Sequence, residues 1–259
     1  MEGQDSQSVP TAHSDYNETY VYGTSGLCTD ELSSAACVTF RGGAYDTSKS
    51  SSDKTIGSRK TDDGFQTDWT EDSVAFGSNT SLSSFEFGVQ RQDLNQVFTS
   101  QSQLGLGRNS SFLRALVSAG DIGTKAYSIF WGLVGGPSDK QTRGSLVFGG
   151  LDKSLIADQN DNFTASLYYG GRCGTGMLVT ISDILLNWPN GTDMSIFMGS
   201  QPAVIQACIS PSFAGLISLP LSYYESFWSL AGGTPPDNRT EARSIGVNYF
   251  TMLFDPKDV

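Results

Sequence analysis

The sequence has few basic residues, a single histidine and no long apolar run. Its 259 residues contain 16 Lys and Arg against 27 Asp and Glu, which gives a formal net charge of −11. Because phosphate binding needs clustered Lys and Arg, this balance argues against nucleic acid or an anionic membrane as a partner. Residues 1–20 contain no apolar signal core, and no later stretch approaches a membrane span. We therefore predict neither a signal peptide nor a membrane segment in this chain.

Closely spaced cysteine pairs of the type that bind zinc are also missing. The four cysteines stand at 28, 37, 173 and 208, and none of their spacings is Cys-x₂₋₄-Cys. We therefore predict no metal site and no cofactor. Cys28 and Cys37 fit the ends of a short surface loop, which favours a disulfide between them. The spacing of Cys173 and Cys208 is too long to indicate a pair from the sequence alone.

Glycosylation sequons are frequent. There are six, and together with a paired Cys28–Cys37 they favour a secretory or extracellular location. They begin at Asn17, Asn79, Asn109, Asn162, Asn190 and Asn238.

Most of the chain carries the pattern of short β-strands separated by turns. Phe85, Phe87 and Val89 alternate with polar residues and glycine, which is the period of a half-buried strand. The remaining predicted strands have similar lengths and turn signals at their ends. They lie at 20–22, 65–70, 72–76, 97–99, 126–134, 145–148, 165–169, 177–186, 195–198, 203–209 and 247–254.

Two short helices interrupt this pattern. Residues 111–119 place apolar side chains at 112, 113, 116 and 117, with Ser110 or Ser111 as the N-cap and Gly120 as the stop. Residues 221–230 form the second predicted helix. Residues 1–15 are polar and predict disorder, and residues 23–65 predict an irregular loop. The sequence thus predicts a mostly-β fold.

Six segments, in order along the chain, resemble the pepsin-like aspartic endopeptidases (peptidase family A1), in particular divergent fungal members. The segments are Arg41–Ser51, with its Asp-Thr-Ser-Lys-Ser-Ser run; Asp63-Gly64 with residues 67–77, like the flap hairpin; Leu104-Gly-Leu-Gly107; Tyr127-Ser-Ile-Phe130; Gly144–Asp152, containing Leu-Val-Phe-Gly-Gly; and Leu178–Ile184. The resemblance implies a bilobal fold. It places a replaced or disordered N-terminus at 1–19, a partial first lobe at 20–155 and a truncated second lobe at 156–259.

The same resemblance shows what chemistry is missing. The family uses two aspartates, each in an Asp-Thr-Gly or Asp-Ser-Gly tripeptide, and neither tripeptide occurs here. His13-Ser14-Asp15 stands roughly where the first should be, and Ser210 stands where the second aspartate should be. The tyrosine expected just before Asp63-Gly64 is replaced by Lys60-Thr61-Asp62. Because Cys208 flanks the second loop, the resemblance also suggests a Cys173–Cys208 disulfide.

Two carboxyls that share one proton are the acid and the base of an aspartic protease, and serine cannot take either role. The sequence therefore predicts a catalytically inactive, monomeric, pepsin-like protein that retains a cleft for a peptide or protein. One alternative is a fragment of an active secreted aspartic endopeptidase that hydrolyses proteins at acid pH. A further alternative is an unrelated β-rich cell-surface glycoprotein.

Overall fold

The computed structural model describes residues 10–24, 34–61, 66–76, 80–90, 102–132, 138–156, 164–171, 173–197, 204–212, 219–232, 240–242 and 248–250. Within them strands predominate over helices. The strands are β1 (Thr11–His13), β2 (Tyr20–Tyr22), β3 (Lys54–Lys60), β4 (Gln66–Phe76), β5 (Thr80–Gln90), β6 (Gln103–Gly105), β7 (Tyr127–Phe130), β8 (Ser145–Phe148), β9 (Leu178–Ile181), β10 (Leu185–Asn187), β11 (Asp193–Ser195), β12 (Ile205–Cys208), β13 (Thr240–Ala242) and β14 (Asn248–Phe250). The helices are α1 (Ser34–Arg41), α2 (Ser111–Ala119) and α3 (Leu221–Ala231). The prediction of a mostly-β protein is confirmed.

The first half of the chain forms a six-stranded sheet in the order β1-β6-β2-β5-β4-β3. The pairs β3–β4 and β4–β5 are antiparallel, whereas β1–β6 and β2–β5 are parallel. The remaining strands make two-stranded sheets, namely β7–β8, β9–β12, β10–β11 and β13–β14. β1 and β2 therefore flank β6, and the loop that joins them must cross the end of β6.

The core lies where α2 packs on β5 and β6. Phe85 and Phe87 alternate with polar residues as predicted, whereas Leu82 is three residues from Phe85 and is still buried. The register explains this spacing, because Asp72 pairs with Phe85 and Val74 pairs with Leu82, which leaves one extra residue on β5. This bulge brings both side chains to the same face of the sheet.

Phe112 of α2 has no exposed surface and contacts three other aromatic rings. Its ring lies 4.8 Å from that of Phe76, 5.7 Å from Phe85 and 5.1 Å from Phe148, in each case edge to face. Burying one such side chain contributes about 1.5–3 kcal/mol. Phe112 thus connects the six-stranded sheet to the β7–β8 hairpin.

The helix prediction for 111–119 is confirmed, with Ser110 as the N-cap and Gly120 as a left-handed C-cap. The second predicted helix is observed as α3.

The structure corrects three other predictions. Thr11–His13 forms β1 and is not disordered, residues 34–61 contain α1 and β3 and are not irregular, and 165–169 forms no strand. The first two are stabilised by pairing and packing with distant segments, which local composition does not reveal. The segment 97–99 lies outside the described residues.

Candidate functional site

The loop between β1 and β2 contains Ser14 and Asp15 and follows His13, so it carries most of the segment that stands roughly where the resemblance expects the first catalytic tripeptide. His13 and Ser14 are buried, with 7% and 5% of their surface exposed, and Asp15 is exposed. The imidazole Nδ1 of His13 lies 3.7 Å from the Asp15 carboxylate. The His13 ring also meets the Tyr16 ring edge to face, with 5.5 Å between centroids. His13 and Ser14, which the sequence predicted to be disordered, are thus packed against the rest of the fold.

Two glycines of the Leu104-Gly-Leu-Gly107 motif allow this loop to approach β6. A Cβ atom on Gly105 would stand 2.4 Å from the Glu18 carbonyl oxygen, and one on Gly107 would stand 2.8 Å from the Tyr16 carbonyl oxygen. The backbone N–H of Leu106 donates to the His13 carbonyl, and that of Gly107 donates to the Tyr16 carbonyl, both at 2.7 Å. The motif therefore positions Asp15 by holding the backbone on both sides of it.

The start of α2 holds the same loop. The N–H of Ser111 donates to the Asn17 carbonyl at 2.9 Å, and the N–H of Asn109 donates to the Asn17 side-chain oxygen at 2.8 Å. The Ser110 hydroxyl donates to the Gly105 carbonyl at 2.6 Å. Asn17, predicted as a glycosylation site, is thus a structural residue of the loop.

Tyr127 lies near both Asp15 and Tyr169. Burial raises the pKa of the Tyr127 phenol; the Ser14 hydroxyl opposes this shift, and the nearby Tyr169 and Asp15 side chains add to it. The Arg108 guanidinium lies 4.9 Å from the centroid of the Tyr169 ring. Sequence analysis missed both roles. Tyr127 belongs to the Tyr-Ser-Ile-Phe segment, but nothing in the sequence places Tyr169 beside it.

A turn at 173–177 lies between Asp15 and the end of β12. A Cβ atom on Gly174 would stand 3.3 Å from the Asp15 Cβ. On the other side, the Thr175 hydroxyl donates to the Ile209 carbonyl at 2.7 Å, and the Ile209 N–H donates to the Met177 carbonyl at 3.0 Å. The turn thus borders Asp15, in the segment that stands roughly at the first catalytic tripeptide, and Ile209, which precedes the serine that stands at the second catalytic aspartate.

The Cys173–Cys208 disulfide fixes this turn to β12. The two Cα atoms are 5.3 Å apart, and 35 residues separate them in sequence. This pair, suggested by the resemblance, is confirmed. Cys37 is disulfide-bonded as well, and its predicted partner, Cys28, lies outside the described residues.

Several other predicted site residues also lie outside the described residues: Asp63, Gly64, Asn79, Asn162 and Asn238. Asn109 and Asn190 are described and exposed. Asn190 is in the β10–β11 turn, where its side-chain oxygen accepts from the Thr192 N–H at 3.0 Å.

In the part of the chain that the structure describes, Asp15 shares no hydrogen bond with a second carboxylate, and its carboxylate lies 3.7 Å from the His13 imidazole Nδ1. Those residues also include no group of three or more His, Cys, Asp or Glu side chains arranged to hold a metal ion. None of the described helices has the length and apolar character needed to span a bilayer. Chemically, the site offers the Asp15 carboxylate and the Tyr127 and Tyr169 phenols, which can hydrogen-bond a polar ligand.

Comparisons with known proteins give no identification. The chain matches no protein-family model, and a search of curated proteins finds no match for it. The resemblance to aspartic endopeptidases therefore rests on the motifs quoted above.

Proposed function

We propose that this protein is a pepsin-like, non-catalytic peptide-binding protein whose cleft runs past Asp15, Tyr127 and Tyr169. The observation that carries this proposal is the position of the 173–177 turn, which borders both Asp15 and Ile209. A peptidase of this class needs a carboxyl from each side of such a junction. Here one side supplies Asp15 and the other supplies Ser210.

The altered chemistry supports binding without turnover. A serine hydroxyl cannot share a proton with a carboxylate as a second carboxyl would, so no water is activated between them. Loss of one member of a cooperating catalytic set costs several orders of magnitude in rate. A hydroxyl and a carboxylate can still accept and donate hydrogen bonds to a peptide backbone.

The bilobal pepsin fold belongs to the same proposal. Its support in the first half is the six-stranded sheet, in which the Leu-Gly-Leu-Gly strand β6 lies between the two strands that carry the site loop. Its support in the second half is the β9–β12 pair with the disulfide at its end. The predicted division at 155/156, the monomeric state and the secretory location are further parts of the proposal.

The test measures binding and cleavage on the same purified chain. We expect a fluorescently labelled, extended apolar peptide to show saturable binding by anisotropy, with competition by a statine-type inhibitor. The Asp15→Asn and Tyr127→Phe variants should each weaken binding about 5- to 150-fold, since each removes a hydrogen bond worth about 1–3 kcal/mol. Asp121→Asn is the matched control, because Asp121 is exposed and lies beyond the opposite end of α2 from the site.

Cleavage of a denatured protein substrate at mildly acid pH is the second measurement. We expect no cleavage that the statine-type inhibitor blocks. Inhibitor-sensitive cleavage would overturn the proposal in favour of the alternative, a fragment of an active aspartic endopeptidase. If neither the peptide nor the inhibitor binds, the proposed peptide-binding cleft is contradicted as well.

A further inference from the structure

An apolar groove lies between β1 and the β7–β8 hairpin. Residues 10–12 form one wall, and residues 129–131 and 144–146 form the other. The groove has a volume of about 340 Å³, which is at the lower end of the usual range for ligand pockets, roughly 300–1,000 Å³. None of these nine residues is charged. A ligand that fills the groove must therefore present an uncharged, mainly apolar group.

The hairpin wall continues a face that is covered elsewhere. Phe148 and Leu146 are two residues apart on β8, so their side chains share a face. Phe148 packs on the core ring of Phe112, with 5.1 Å between centroids. Further along, Leu146 lies opposite Ile129 in the register and is 36% exposed, and Trp131 is 45% exposed. The apolar face thus runs from the core into the groove, where it is left open to solvent.

The β1 wall offers backbone groups as well. β1 is the outermost strand of its sheet, and no strand among the described residues pairs with its other edge. The Thr11 N–H donates to the Ser102 carbonyl, and the Leu106 N–H donates to the His13 carbonyl, both at 2.7 Å. In a parallel pair, residues that bond the neighbouring strand alternate with residues whose N–H and C=O face the other way. Ala12 is the intervening residue, so its N–H and C=O lie on the free edge of β1.

The groove adjoins the candidate site. Ile129 follows Tyr127 by two residues on the same face of β7, which is about 7 Å further along the strand. On the other wall, Ala12 directly precedes His13 and the loop that carries Asp15. An extended peptide that contacts Asp15 and Tyr127 therefore reaches the groove within about two or three residues.

We propose that the groove is a specificity subsite that takes one apolar side chain of an extended peptide, while the peptide backbone pairs with Ala12 as an added strand on β1. This inference rests on the proposed function, because it assumes a peptide bound beside Asp15. It names the class of that peptide: an extended chain with an aliphatic or aromatic residue two or three positions from the one at Asp15.

The chemistry of the two walls selects this occupant. A charged side chain would lose its hydration in the groove without meeting an opposite charge, which is unfavourable. A helix has its backbone N–H and C=O groups bonded within itself, so it could not pair with Ala12. An extended chain presents backbone groups to a strand edge and alternate side chains to a pocket at the same time.

A substitution scan of the peptide tests the subsite on the natural chain. Each apolar residue of the labelled, extended peptide is replaced in turn by serine and by aspartate, and binding is followed by anisotropy. We expect one position at which serine weakens binding about 10- to 100-fold, since an apolar side chain is no longer buried there. Aspartate at the same position should weaken binding further.

Variants of the protein assign that position to the groove. In Leu146→Ser the preference for the apolar residue at this position should fall to about threefold or less, because an apolar part of the wall is removed. Leu151→Ser is the matched control, since Leu151 is also exposed, at 53%, and does not line the groove. Asp15→Asn should weaken the parent peptide and its serine derivative by the same factor.

The fluorescence of Trp131 gives a second measurement that does not depend on the Leu146 variant. A peptide side chain in the groove removes water from the half-exposed indole, so we expect its emission to shift to shorter wavelength when the parent peptide binds. The shift should be absent in Trp131→Phe and with the serine derivative.

The outcomes separate this inference from the proposed function. Equal affinities across the scan, or a preference that Leu146→Ser leaves unchanged, would overturn the subsite while the peptide-binding function stands. Binding without any shift of the Trp131 emission would also overturn it. If no peptide binds at all, the proposed function and the subsite both fail.

Discussion

At the scale of single residues, the glycines of Leu104-Gly-Leu-Gly107 decide whether the site can form. Gly105 and Gly107 are both buried and have no left-handed backbone, so conformational freedom is not what they provide. Their lack of a side chain lets the chain at 16–18 lie directly on β6. The motif was recognisable in the sequence, but its purpose was visible only once the loop was seen to cross it.

Replacing Gly105 with alanine should therefore destabilise the protein and displace Asp15. Because the new Cβ would meet the backbone of Glu18 at 2.4 Å, where no flexible side chain can yield, we expect a loss of about 1–3 kcal/mol in the free energy of unfolding. Urea denaturation measures it. Gly123→Ala is the control: nothing lies within 4 Å of its Cβ position, and stability should change by less than about 0.5 kcal/mol. Equal effects of the two substitutions would contradict this explanation.

At the scale of elements, α2 and α1 show when local sequence suffices. The apolar spacing of α2 and its capping residues predicted Ser111–Ala119 correctly, and Phe112, Leu113 and Leu116 are buried as expected. α1 spans Ser34–Arg41 in a region whose Ser and Gly content indicated loop. Its N-terminus has no acidic residue in the first turn, which is one of the usual signals of a helix start.

The short 3-10 turn at Lys153–Leu155 should weaken in acid. The hydroxyl and the backbone N–H of Ser154 both donate to the Asp152 carboxylate and lower its pKa. A lowered pKa means that the stabilisation is present above the unfolded value of about 3.9 and is lost as the pH falls through the folded value. The natural chain should therefore exceed Asp152→Asn in urea midpoint near neutral pH, and this difference should disappear in acid. A difference that is independent of pH would show that charge is not what makes Asp152 a cap.

At the scale of the whole molecule, the two halves are stabilised differently. The first half has a continuous apolar core formed by β5, β6 and α2. In the second half the strands pair only in twos within the described residues, and apolar side chains such as Leu167 and Val204 are more than half exposed, at 58% and 51%. A two-stranded sheet is marginally stable by itself. We therefore expect the Cys173–Cys208 disulfide to contribute much of the stability of the second half.

The double variant Cys173→Ser/Cys208→Ser should accordingly destabilise the second half first. Cross-linking residues separated by 35 positions is worth about 3–4 kcal/mol in the chain-entropy model. Limited proteolysis should cut the variant between 173 and 208 at protease levels that leave the natural chain intact. The core around Phe112 should stay protected. Loss of the two halves together, in one step, would show that they fold as a single unit.

The sequence by itself determined the β-rich class, the α2 helix with its caps, and the absence of both catalytic tripeptides, because periodicity, capping and motif content are local properties. Tertiary structure alone decided that Thr11–His13 is a strand, that Tyr127 lies near Asp15 and Tyr169, and that Tyr45 meets Asp53 and Asp72. These contacts join residues that are far apart in the chain. The free energy that stabilises the contacts comes from strand pairing and from burial between segments. No local pattern encodes them, since each partner has an ordinary sequence environment until the fold brings the other to it.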